Sequence, residues 1–419
     1  MKTKSNYSRF LLLWSGELIS AVGSGLSSFG LSVYVFNLTG SAASMAQVTL
    51  LAFLPTLLLS ASAGVLADRY DRRLLMMLGD GLSALGLVYI LFCMLTGGAT
   101  LVQICIGVCV SSVFSSLLEP SYRATITDLL TPEEYTKASG MVSLAGSAHY
   151  LISPILAGLL LSVADIRLLL MIDIATFFLT VLCTAVVRCG LGAKEAEHPE
   201  PFLQSFRVGW EAVTGNRGVL ILILVSSAIT CFMGVLQILS EPLILSFADS
   251  RTLGITETVC ASGMLFSGLL LGLRGLKGGY VRTLWTSLAA AGCAMIGFGW
   301  KENILVIGAF GLLFFFMLPF ANSCLDYLAR TNIDADKQGR AWGLISFLSQ
   351  IGYVFAYGLA GTLADRLAVR QQCSVGRGAA QVIMGAGLLL IAAAVSLGFI
   401  KSVRKLENDK TEEKSDDEK

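Results

Sequence analysis

Several carboxylates lie within or at the edges of long apolar stretches: Glu17, Asp80, Glu119, Asp173, Glu241, Glu257 and Asp326. A charged side chain in hydrocarbon costs roughly 2.5–3.5 kcal/mol on insertion scales, so each must face protein, a cavity or an interface. A carboxyl group held in such a place can take up and release a proton, or hold a cation, as its surroundings change. Glu17 is the candidate for that chemistry, because no basic residue occupies the neighbouring turns of "LLLWSGELISAVG". The others have plainer places. Glu241 and Glu257 fall near one end of their stretches and Asp326 near the other, while Glu119 precedes Arg123 by four residues, a spacing that pairs on one helix face. His149, in "GSAHYLISP", can bond across helices or simply pack. No metal-ligand spacing, phosphate loop or nucleophile–base arrangement appears, so no metal, no cofactor and no enzymatic activity are expected.

The elements that must position these groups are long. Of 419 residues 55 % are hydrophobic and 14 % charged, far too apolar a chain for water. A helix needs about 20 apolar residues to cross the hydrocarbon core. Twelve stretches qualify, at 10–36, 44–66, 74–97, 101–121, 139–163, 167–187, 218–245, 254–273, 282–300, 303–328, 341–364 and 379–401. They are twice the length of barrel strands, so the expected class is an all-α, multi-pass membrane protein embedded in the lipid bilayer. The basic N-terminus runs into the first stretch across Glu17, which reads as an uncleaved helix. Most of the 30 Lys and Arg residues fall on one side when both termini are placed in the cytoplasm, which sets the expected orientation in the plasma membrane. Arg366, Arg370 and Arg377 are the exception, in the last external connection. The net charge of +1 suggests no nucleic-acid partner. The ten cysteines lie mostly inside the spans, and no disulfide framework follows.

Two halves follow from the spacing. Residues 1–188 form an N-terminal six-helix bundle, 189–217 a cytoplasmic linker, 218–401 a C-terminal six-helix bundle, and 402–419 a polar, disordered tail. Phe202, Phe206, Trp210 and Val213 recur at helical spacing, which suggests that the linker carries an amphipathic helix on the membrane surface.

"AGVLADRYDRR", Ala63 to Arg73, returns almost unchanged as "AGTLADRLAVR", Ala360 to Arg370. Nine crossings separate the copies, so the first faces the cytoplasm and the second the outside. Were the halves repeats, the partner of the 2–3 connection would be "GLRGLKGGYVR", Gly272 to Arg282, so the external copy reads as an echo in letters. Gly64, as a small residue, permits neighbouring helices to approach. Asp68 suits the start of another helix, and Arg72 and Arg73 suit nearby acids.

Gly64, Leu66, Ala67, Asp68, Arg69, Arg72 and Arg73 fit G-x-L-A-D-R-x-[GD]-R-[RK], and on these residues the chain resembles the major facilitator superfamily. Together with "TDLLTPEEYTKASG", "ISPILAG", "LLLMIDIATF" and "GRAWGLIS", they are similar to the macrolide-efflux branch of drug:proton antiporters. The resemblance implies two six-helix bundles around a midplane cavity, with Asp68 engaging the start of the eleventh helix at Gly339 and Arg340 to close the cytoplasmic side. It implies that the first helix lines the cavity, which adds weight to Glu17, and that Asp80 and Asp173 join it as proton-coupling candidates. Phe29, Tyr34, Phe232, Met233, Phe315 and Tyr353 are the substrate-cavity candidates, suited to a large amphiphilic guest. The chain departs from the branch in "CVSSVFSSLL", Cys109 to Leu118, which lacks the fourth-helix arginine, and in having Ser153-Pro154 where a Gly-Pro is usual. The expected function is secondary active efflux of amphiphilic small molecules, macrolide-like drugs or similar, exchanged for protons by alternating access, with the chain as a monomer. The alternatives are a lysophospholipid or siderophore carrier of the same fold, and a non-transporting sensor or accessory protein.

Overall fold

The computed structural model describes residues 6–189, 217–276, 278–333 and 338–400. The amphipathic helix expected around Phe202 to Val213 and the 402–419 tail lie outside the described residues. Among the described residues, twelve helices long and apolar enough to cross a membrane follow one another. They are α1 (Tyr7–Thr39), α2 (Ala42–Arg69), α3 (Arg72–Thr96), α4 (Leu101–Leu129), α5 (Tyr135–Leu161), α6 (Ile166–Cys189), α7 (Arg217–Leu245), α8 (Ser250–Arg274), α9 (Tyr280–Trp300), α10 (Ile304–Asn332), α11 (Gln338–Gln371) and α12 (Val375–Phe399). No strand occurs among the described residues. This is the expected class, and the physical reason is simple: in lipid every backbone amide must find its partner within the element.

Local chemistry sets the helix ends. Asp71 caps α3 by accepting from the Arg73 N–H, Thr100 and Gln103 form a reciprocal capping box on α4, and Asn303 and Ser374 cap α10 and α12. Two helices run well beyond their apolar stretches. α4 continues to Leu129 rather than 121, and α11 to Gln371 rather than 364, because a helical ladder does not stop where apolar residues stop. α4 is interrupted after Ser115 and α5 at Ile152. The second break has a clear cause: Pro154 has no N–H to give to the preceding turn.

The chain divides into two compact units, one with residues 1–40, 47–199 and 249–258 and the other with 41–46, 200–248 and 259–419. Thus α2 starts in the second unit and runs on in the first, while α8 does the reverse. In the first unit, α3 and α4 come together at Gly86, where a Cβ would collide with the Gly107 carbonyl. In the second, Gly292 of α9 and Gly387 of α12 make the same kind of backbone approach. Lipid tails are as apolar as leucine, so such close packing, rather than water exclusion, holds these helices together. Large apolar side chains such as Leu85, Phe92 and Leu95 on α3, and Phe266, Leu269 and Leu273 on α8, are exposed. In water they would be a liability; in a bilayer they are the lipid-facing surface.

Candidate functional site

The turn between α2 and α3 is built by ion pairs. Arg72 bonds Asp128 of α4 at 2.9 Å and the Ala124 carbonyl at 3.1 Å, and its Nε donates back to the Ala67 carbonyl. Arg188, at the end of α6, donates to Asp71 at 2.7 Å. Partial burial works against the charge of Asp71, but the Arg188 hydrogen bond, the Arg73 N–H and the two guanidinium charges outweigh it and hold the carboxyl below its ordinary value. Sequence reasoning passed over Asp71, Asp128 and Arg188. Asp71 occupies the [GD] position of the motif, which was the available signal; the other two had none.

The expected motif residues behave differently from one another. Asp68 is 55 % exposed and meets Arg72 at 3.8 Å, and Arg69 is exposed as well. Gly64 does not serve a close helix approach here: a Cβ added to it meets no atom within 4 Å, because the end of α2 stands clear at that point. Arg73 is buried, its Nε has no hydrogen-bond partner among the described residues, and it acts on the neighbouring Asp71 through its charge. Gly339 and Arg340 belong to the first turn of α11, and their side chains lie outside the described residues.

In the first unit one buried acid lies within electrostatic reach of acids on two other helices. Asp173 of α6 is 2 % exposed and accepts from Ser24 of α1 at 3.3 Å. Gly23, one residue earlier, leaves room for it: a Cβ there would stand 3.0 Å from the Asp173 carboxylate. Asp80 of α3 is 1 % exposed, and neither carboxylate oxygen has a hydrogen-bond partner among the described residues. It lies within electrostatic reach of both Glu17 and Asp173. Glu17 is half-buried on α1 and is also within reach of Glu119. No Lys or Arg forms an ion pair with any of the three among the described residues. Glu119 itself pairs with Arg123 at 2.8 Å on the surface. His149 bonds the Ala21 carbonyl of α1 through Nδ1 at 3.1 Å, which fixes α5 against α1.

In the second unit, α7, α10 and α11 line a half-open cavity of about 260 Å³. Ser226 and Thr230 of α7, Asp326 of α10, and Trp342, Ser349 and Gln350 of α11 are among its walls. The Trp342 indole N–H has no partner among the described residues, and Arg330 stacks on that ring at 4.9 Å. Between α11 and α7, Tyr353 donates to the Met233 sulfur at 3.2 Å and Tyr357 to Gln237 at 2.9 Å. Phe232 and Phe315 are half-buried, and Phe315 meets Phe314 edge-on. In the first unit Phe29 is buried, and Tyr34 donates to the Ala99 carbonyl at 3.4 Å. None of the six aromatic and methionine candidates touches this cavity; its polar walls come from residues that aromatic patterning overlooked.

Comparison with known proteins decides the family. The sequence model described as Major Facilitator Superfamily matches residues 13–357. The chain belongs to that superfamily. Among its curated relatives, Macrolide efflux protein A of Streptococcus pyogenes is 26 % identical over 411 residues, covering 95 % of this chain and 97 % of that protein. A protein of the same name from Enterococcus faecalis is 31 % identical over 239 residues, covering 55 % of this chain and 72 % of the relative. A bacterial homologue of the iron transporter ferroportin, solved in an inward-facing state, superposes with a TM-score of 0.74 at 15 % identity, over 95 % of this chain and 100 % of that one. At that identity the likeness speaks for the major facilitator fold alone. Superfamily membership and twelve apolar helices make this a multi-pass membrane transporter.

Proposed function

We propose that this transporter exports amphiphilic small molecules, macrolide-like drugs among them, in exchange for protons, from a cytoplasmic membrane in which both its termini face inward. The observation that carries the reading is Asp80: a buried carboxyl with no hydrogen-bond partner among the described residues, within reach of Glu17 and Asp173. With no Lys or Arg paired to these acids among the described residues, charge is balanced by a proton or a bound cation. A change in hydration as the protein alternates between states alters which of them holds it, and that difference couples proton movement to the substrate. The names of the relatives point the substrate class toward macrolides, and the hydroxyl- and indole-lined cavity of the second unit suits a guest with both apolar and hydrogen-bonding faces. Asp68 and the 2–3 turn serve as the cytoplasmic gate in this reading.

The test is substrate-driven proton movement in proteoliposomes, with a macrolide antibiotic as the probe. Glu17→Gln and Asp80→Asn should each abolish accumulation against a gradient while leaving passive exchange. Unchanged coupling in both variants, and in Asp173→Asn, would remove the acids from the mechanism. Macrolide flux indifferent to a pH gradient would remove the proton.

A further inference from the structure

The second copy of the repeated string is not idle. Asp365, on α11, accepts three hydrogen bonds from the start of α2: from the Ser41 hydroxyl at 2.6 Å and from the Ala42 and Ala43 N–H groups at 3.0 Å each. A helix start has unpaired amides and partial positive charge, so a carboxylate there satisfies donors and charge together. Ser41 is itself drawn in, accepting from the Ser44 N–H at 3.1 Å. One turn before Asp365, a Cβ on Gly361 would stand 2.5 Å from the Ala42 carbonyl, so the two backbones lie directly against each other. Residues 41–46 belong to the compact unit that contains α11, while α2 from Gln47 onward belongs to the other.

A second contact of the same construction occurs six helices away in each partner, where α5 meets the start of α8. A Cβ on Gly158 would stand 2.6 Å from the Ser250 carbonyl, and Thr258 donates to the Leu151 carbonyl at 3.0 Å. The strings agree: Leu156-Ala157-Gly158 on α5 and Leu359-Ala360-Gly361 on α11. What differs is the charge. The position matching Asp365 is Ser162, whose hydroxyl turns back to the Leu159 carbonyl, and α8 caps itself through Asp249 and the Thr252 N–H. So the true counterpart of Ala360–Arg366 is the end of α5, and only one of the two repeat-related contacts carries a carboxylate.

We infer that Asp365 is a releasable charge latch: it holds the first turn of α2 to the end of α11 in one state of the transport cycle and lets go in the other. Asp365 is therefore a positioning residue, acting through α2 rather than on substrate. The inference rests on the transport reading above only for its word "cycle"; the latch itself can be tested without any substrate.

The whole chain, in isolated membranes open at both faces, is given a cysteine at Ala46, which is buried in the latched arrangement. Its labelling rate with a water-soluble maleimide is measured above the background of the native cysteines. Adding Asp365→Asn, which keeps the shape and loses the charge, should raise the rate about fivefold or more, since charge-assisted hydrogen bonds are roughly twice as strong as neutral ones. Asp365→Ala should raise it further, and Arg366→Gln should not change it. A second probe position, Ser44→Cys, keeps the test available if the first cysteine disturbs insertion. Unchanged labelling in Asp365→Asn and Asp365→Ala overturns the latch, whatever the protein transports. Raised labelling with macrolide flux and coupling left intact overturns its place in the cycle. Raised labelling in a protein that moves no macrolide upholds the latch and counts against the substrate reading instead.

Discussion

Ala63–Arg73 and Ala360–Arg370 are spelled almost alike, yet the burden falls on different letters in each. In the first, Gly64 faces open space and Asp68 is mostly exposed, while Asp71 and Arg72 hold α6 and α4. In the second, the glycine and the aspartate do the work: Gly361 lies against the backbone of α2 and Asp365 caps its start. A string of residue types states which hydrogen bonds and approaches are possible. Which of them form depends on whether a helix start with free amides lies within reach.

The largest expected contrast is steric. Gly361→Val drives side-chain carbons into the Ala42 carbonyl and should destabilise the detergent-solubilised protein by about 3 kcal/mol or more. Gly64→Ala meets nothing and removes a helix glycine, so it should leave the melting temperature unchanged or raise it, worth up to about 1 kcal/mol. Equal losses from both would mean that Gly64 is packed in the state that dominates in solution.

Next comes the arginine. Arg72→Ala removes a 2.9 Å ion pair from the largely buried Asp128 and should cost about 1–3 kcal/mol in the same melting assay. Arg366→Gln, on the other copy, should stay within about 0.5 kcal/mol. A larger loss from Arg366→Gln would show that the second copy works through its basic residue, not its acid.

The smallest effect is in pH. The Asp71 carboxyl is held below its unfolded value of about 3.9, so its contribution to stability is fully present above that pH and is lost as pH falls through the lower folded value. Arg188→Gln removes the strongest of the lowering contacts and should flatten that acid limb of the stability curve, with little change at neutral pH. An unaltered acid limb would show that Asp71 does not depend on Arg188.

Much of the fold was legible because it is one-dimensional. Apolar length measured against bilayer thickness marks twelve crossings, and backbone satisfaction in lipid leaves helices as their only form. Helix ends were less legible, since α4 and α11 continue through polar residues that no hydropathy pattern separates from a loop. Of the site, the acids could be named one by one from their burial in apolar runs. That Asp80 lies within reach of both Glu17 and Asp173 could not, because it depends on how α1, α3 and α6 are rotated about their axes.

The sequence by itself therefore determined the number of crossings, the helical form and the kinds of residue available for chemistry. Only the tertiary structure decided the partners: Arg188 for Asp71, Asp128 for Arg72, and the start of α2 for Asp365. In lipid no hydrophobic force drives one helix onto another, so these choices leave no periodic signature; they follow from glycine-to-backbone approaches such as Gly86 on Gly107 and Gly361 on Ala42, which exist only once the helices are packed.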